Sequence, residues 1–233
     1  EVLAQLRTLI RRDRNHPSVI LWSIFNEEPE QGTTAGRRMA QTMIREIRRL
    51  DPSRPITAAL NSGLFTPDGV DDVVDVVGIN YQLPSVDRYR EEHPDRPLVG
   101  SENNCAFATR GVYRADDRAQ IFDCYDSEAA SWGDTVRDTL AFVQTRPWFA
   151  GQFTWTGFDY RGEPSPYQWP SINSHWGVMD MCGFAKDVFY LYQAAWSDRG
   201  VLHLLPHWNW RPGDTVRVMA YTNCPRVELF LNG

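Results

Sequence analysis

The sequence predicts an α/β protein built on a parallel sheet and followed by a short antiparallel β segment. Three observations carry this. Short apolar runs at 19–24, 55–60, 73–79, 97–102 and 149–155 are bounded by breakers and too short for helices, as expected of strands covered on both faces. Helically spaced stretches or long connections alternate with them, which is the pattern of βα units. Near Asp198-Arg-Gly200 the helices stop, and the runs 201–205, 215–221 and 227–231 are separated only by turns, the mark of an antiparallel β domain.

Taken in order, the chain opens on a helix whose stripe is Val2, Leu3, Leu6, Leu9 and Ile10. His16-Pro17 breaks it, since proline has no amide to donate and biases its predecessor away from the helical region. The run 19–24 then ends abruptly in Asn26, Glu27 and Glu28. Thr33 or Thr34 can cap a helix carrying Met39, Met43, Ile47 and Leu50, with arginines on its other face. Strand 73–79 runs into Asn80-Tyr81, a helix is expected near 86–92, and strand 97–102 ends in Glu102. The region 116–146 reads as mostly helical. After strand 149–155 comes a loop rich in aromatics, glycine and proline, far above ordinary loop length, which points to function. Residues 187–196 read as a closing helix.

Composition bounds the function. At 233 residues, 42% hydrophobic and 23% charged, the chain can bury a core. A net charge of -6 with no clustered basic stripe argues against a nucleic-acid binder. No apolar run reaches ~18 residues, so no membrane-spanning helix is expected. Of the 24 basic residues only Lys186 is a lysine. Cys105, Cys124, Cys182 and Cys224 form no C-x-x-C pair and are expected to be buried free thiols. His203 and His207 flank Pro206 in a strand-like context, which does not make a helical metal pair. The chain begins inside a helix and ends on a strand running into a turn, so a piece of a longer protein is expected, with any signal peptide outside it.

Glu27 and Glu102 each end an apolar strand. In a parallel barrel such ends converge at one mouth. Two facing carboxyl groups suit glycoside hydrolysis, one protonating the leaving oxygen while the other attacks the anomeric carbon or activates water. Neighbouring acids also tune each other, an ionised one favouring the protonated form of the other. By residue type alone, a glutamate ending a strand is more often a solvated or salt-bridged surface group.

Longer motifs sharpen this. The run Arg12-Asp-Arg-Asn-His-Pro-Ser-Val-Ile-Leu-Trp-Ser-Ile-Phe-Asn-Glu27 resembles the acid/base signature of glycoside hydrolase family 2, which includes β-galactosidases, β-glucuronidases and β-mannosidases. Val77-Gly-Ile-Asn-Tyr81 resembles the family's strand whose tyrosine hydrogen-bonds the nucleophile, and Arg96-Pro-Leu-Val-Gly-Ser-Glu102 resembles the nucleophile strand. Gly151-Gln-Phe-Thr-Trp155-Thr-Gly-Phe-Asp159-Tyr resembles the last barrel strand. The resemblance implies that residues 1–198 are the C-terminal part of a (β/α)8 TIM barrel, strands 4–8. Residues 199–233 would begin an immunoglobulin-like β-sandwich.

It also implies a retaining exo-β-glycosidase with Glu27 as acid/base and Glu102 as nucleophile, their carboxyl groups ~5–5.5 Å apart. Asn26 would bond the sugar 2-hydroxyl and Tyr81 would hold Glu102. Trp155 would offer its face to the sugar or, alternatively, pack in the barrel core. His175, in the aromatic loop, is a further candidate substrate contact. Family glucuronidases read the uronate with an Asn-x-Lys motif, whereas the matching loop here is Ser171-Ile-Asn-Ser-His-Trp-Gly177, without lysine. The aromatic loop 162–170 and the tail 202–210 look like bacterial β-galactosidases of the family, so a terminal β-D-galactoside is the expected substrate.

A β-glucuronidase, a β-mannosidase or a non-catalytic carbohydrate-binding homologue is the alternative. Retention of both glutamates speaks against the last of these, and the piece alone is expected to be inactive. No cofactor is implied, and no nucleic-acid or membrane partner. A magnesium requirement, homo-oligomerisation of the full-length protein and its compartment, bacterial cytoplasm or periplasm, are left open.

Overall fold

The apolar runs form one sheet of five strands in sequence order. These are β1 (Trp22–Asn26), β2 (Ile56–Leu60), β3 (Val76–Asn80), β4 (Leu98–Asn104) and β5 (Phe149–Trp155). The β1/β2, β2/β3 and β3/β4 pairs are parallel. Parallel neighbours need a crossover, and the helices supply it. After α1 (Val2–Asp13), helix α2 (Thr34–Leu50) joins β1 to β2, α3 (Leu83–Glu92) joins β3 to β4, and α4 (Val136–Gln144) precedes β5. The computed structural model describes residues 1–233, which form two compact units, one of residues 1–103 and 141–154, the other of 104–140 and 155–233.

In the first unit β2 is buried throughout, and Ile10, Ile44, Ile47, Leu60 and Val77 pack around the sheet. Helix α2 starts as its sequence dictates, with Thr33 Oγ1 accepting from the Gly36 amide at 3.1 Å. Its buried stripe is Ala40, Ile44 and Ile47, whereas Met39, expected inside, is 52% exposed. Strand β1 begins at Trp22, three residues later than expected: the Val19 amide is turned back to the His16 carbonyl, and Arg54 caps the Val19 carbonyl. As an edge strand it alternates, leaving Ser23 exposed. Its start is pinned by Trp22 Nε1 donating to Asp51 at 3.0 Å. Burial would raise the Asp51 carboxyl, but bonds from Ser53, Arg54 and Trp22 hold it well below the usual range.

The second unit holds α5 (Asp187–Trp196) and an antiparallel pair, β6 (Leu202–Leu205) with β7 (Met219–Thr222). This pair is the one two-stranded sheet after residue 198, and no second sheet faces it as a sandwich would require. Residues 227–231, expected as a strand, have no regular structure and are exposed, because no neighbour pairs with them. The region 116–146, expected to be mostly helical, is helical only in α4. Here aspartates bond the local backbone, Asp116 Oδ1 accepting from the Arg118 amide at 2.9 Å and Asp123 Oδ1 from the Tyr125 amide at 2.8 Å. Such bonds compete with helix formation. All four cysteines are free, and Cys182 and Cys224 are exposed, not buried as expected.

Candidate active site

Both carboxylates follow an irregularity in strand pairing. Between the pairs Ser23↔Thr57 and Asn26↔Ala59, β1 advances three residues while β2 advances two. Between Ile79↔Gly100 and Asn80↔Glu102, Ser101 is the unpaired extra residue of β4. A bulge bends its strand and re-aims the side chains beyond it. Glu27 then turns through the left-handed region at φ 54, while its amide still donates to the Ala59 carbonyl at 3.0 Å. Tyr81 and Gln82 end β3 with φ 57 and 51. Non-glycine residues held there cost about 1–3 kcal/mol each and cluster at functional sites.

Asn80, fully buried at 0% exposure, is the centre of the arrangement. Its Nδ2 donates to Glu27 Oε1 at 2.8 Å and to Asn26 Oδ1 at 3.1 Å. Its Oδ1 accepts from Ser101 Oγ at 2.6 Å. The next residue serves the other acid: Tyr81 OH donates to Glu102 Oε1 at 2.7 Å, and the Tyr81 amide donates to the Glu102 carbonyl at 2.8 Å. Strands β1 and β3 are not neighbours, and across β2 their backbones would stand about 9–10 Å apart in a flat sheet. Side chains bridge that gap where β2 ends, since Asn26 is level with Ala59 and Ile79 with Leu60.

The structure therefore brings Asn26, Glu27, Tyr81 and Glu102 together in the first unit. Glu27 and Glu102 are half-buried and Asn26 is exposed. Asn80 and Ser101 were missed by sequence reasoning. The only signal for Asn80 was its place beside Tyr81 in Gly78-Ile-Asn-Tyr81, and nothing marked Ser101, whose position depends on the bulge.

Trp155 and His175 belong to the second unit. The Trp155 ring is half-buried and meets Tyr160 edge-on at 5.9 Å, and the peptide that follows it is cis. His175 is 7% exposed, its ring flanked by Phe122 and Tyr167, with its nitrogens 3.5 Å from Thr109 and Ser171. Burial, reinforced by the Lys186 charge, pushes it down to about 4. Lys186 is 1% exposed and donates to the Ala108 carbonyl at 2.7 Å, the His175 carbonyl at 3.0 Å and Asp159 Oδ1 at 2.9 Å. An ammonium has three protons, and all are used. No group of three or more His, Cys, Asp or Glu side chains could hold a metal ion.

Residues 1–179 match the family model described as glycosyl hydrolases family 2, TIM barrel domain, and residues 213–233 match a domain of unknown function. A β-galactosidase of Bacteroides ovatus is 38% identical over 98% of this chain, which spans 32% of that protein. A putative β-glucuronidase of Formosa agariphila is 30% identical over 99% of the chain, which spans 24% of it. Among solved structures, a β-glycosidase from Bacteroides vulgatus superposes with a TM-score of 0.75 at 29% identity, covering 92% of this chain and 31% of that one.

Proposed function

This chain belongs to family 2 of the glycosyl hydrolases, and from that premise we propose that the protein carrying it is a retaining exo-β-glycosidase acting on neutral, galactose-type β-glycosides. The observation that carries this is the shared hinge Asn80-Tyr81, which holds Glu27 with one residue and Glu102 with the next. In the first step a Glu102 oxygen attacks the anomeric carbon as the glycosidic bond breaks, and Glu27 gives its proton to the departing oxygen. A glycosyl ester of Glu102 results. Glu27, now a carboxylate, takes a proton from water, whose oxygen attacks the same carbon and releases Glu102 and the free sugar.

Asn26 completes the reading. With its Oδ1 committed to Asn80, Asn26 has its amide N–H groups to offer the sugar 2-hydroxyl. The neutral sugar is favoured by the single lysine of the chain, whose protons are spent on Ala108, Asp159 and His175. A buried uronate needs a paired cation, and Lys186 has no proton left to give.

The test uses the whole enzyme with aryl β-galactosides, β-glucuronides and β-mannosides. Turnover of the galactoside is expected, with Glu102→Gln reducing kcat by about a thousandfold or more. Full activity in Glu102→Gln would remove the mechanism, and preference for the glucuronide would remove the sugar assignment alone.

A further inference from the structure

We propose that Asn80 is a positioning residue that dictates which oxygen of Glu27 carries the transferable proton, and that Ser101 orients Asn80 for that task. The inference rests on the reading of Glu27 as acid/base.

A protonated carboxyl group has one good acceptor, its carbonyl oxygen, and one hydroxyl oxygen that accepts poorly. Oε1 of Glu27 already accepts the Asn80 N–H at 2.8 Å. The proton is therefore driven to Oε2, and one oxygen of the pair is set aside for delivery. This selection works only while the amide of Asn80 keeps its orientation. Reversed, its carbonyl would face the Glu27 carboxylate and the Asn26 carbonyl oxygen, three acceptors with no proton between them.

Ser101 adds a lock from the other side, its hydroxyl donating to Asn80 Oδ1 at 2.6 Å. Ser101 is the residue that the β4 bulge leaves over, and it needs room. A Cβ on Gly78 would lie 2.8 Å from Ser101 Oγ and 2.5 Å from the Ala58 carbonyl oxygen. Thus Gly78, the bulge and Ser101 act together, and the strand that bears Glu102 also sets the proton of Glu27.

The experiment measures kcat/KM in the whole enzyme for a series of glycosides of the sugar it turns over, from 2,4-dinitrophenyl to methyl. Departure of dinitrophenolate needs almost no protonation, whereas methoxide needs it fully. Asn80→Ala is expected to lower the methyl glycoside about ten- to hundredfold while the dinitrophenyl glycoside stays within about threefold. Ser101→Ala should move the same way by less, and Ser101→Thr should restore the wild-type profile. If Asn80→Ala does not fold, Asn80→Asp keeps the shape and replaces the donor by an acceptor, and the same split is expected. A loss uniform across the series, or none, overturns the proposal. Glu27→Gln in the same series separates the two readings: without a split there, the acid/base assignment itself falls, whereas a split there and none in the Asn80 variants removes only this inference.

Discussion

At single residues, the site is a set of hydrogen bonds under backbone strain. Glu27 and Tyr81 adopt left-handed φ of 54 and 57, and buried Asn80 joins them. His175 shows how a neighbourhood sets chemistry as well as shape. Its imidazole is pushed down to about 4, first by burial and then by Lys186, whereas an unfolded histidine titrates near ~6.5. Over the interval between, the unfolded chain binds the proton and the folded one does not. The stability is thus complete above about 6.5 and is lost as the pH falls toward about 4. His175→Gln should flatten this acid-side decline, read as the thermal midpoint of the whole enzyme between those values. An unchanged slope would show that the ring is free to protonate in the fold. Glu27, Glu102 and Tyr81 were legible because motif and strand end coincide in sequence. Asn80 and Ser101 were not, because their roles exist only across strands.

At the scale of elements, the loops after β1 and β2 close on each other backbone to backbone at Gly32 and Gly63. Gly63 has φ +75, and a Cβ there would stand 2.6 Å from the Gly32 backbone. Gln31, 3% exposed, ties the same loops, its Oε1 accepting from the Asn61 amide at 3.1 Å and its Nε2 donating to Asn61 Oδ1 at 2.7 Å. Gly63→Ala therefore meets both a disfavoured conformation, worth about 1–3 kcal/mol, and a backbone clash. We expect a loss of about 3 kcal/mol or more in denaturant unfolding of the whole enzyme, with kcat falling alongside as the loop carrying Glu27 shifts. A variant of wild-type stability would contradict the close approach. The order and type of the first unit's elements could be read from apolar runs and breakers. The bulges could not, since a register shift is a property of a pair of strands.

For the molecule as a whole, distant segments of the second unit are gathered on one buried charge. Lys186 Nζ stands 2.7 Å from Asp159 Oδ2 and also bonds the carbonyls of Ala108 and His175. Burial pushes the ammonium down and the carboxyl up, and each partner's charge opposes the other's shift. Removing one member of such a pair strands the other, at about 3–5 kcal/mol. Lys186→Met should thus lower the thermal midpoint more than Lys186→Met combined with Asp159→Asn does. A double variant as damaged as the sum of its singles would mean that the pair is not coupled.

The sequence by itself determined the parallel βα order of the first unit, the family, and the two glutamates at strand ends, because apolar periodicity and contiguous motifs are local properties of the chain. Only the tertiary structure decided what those glutamates meet. Asn80 reaches across β2 to Glu27, a bulge frees Ser101 to hold Asn80, and burial commits Lys186 to Asp159. The first two depend on which strand lies beside which and in what register, the third on loops folded over one another, and all are settled by packing between residues far apart in the chain.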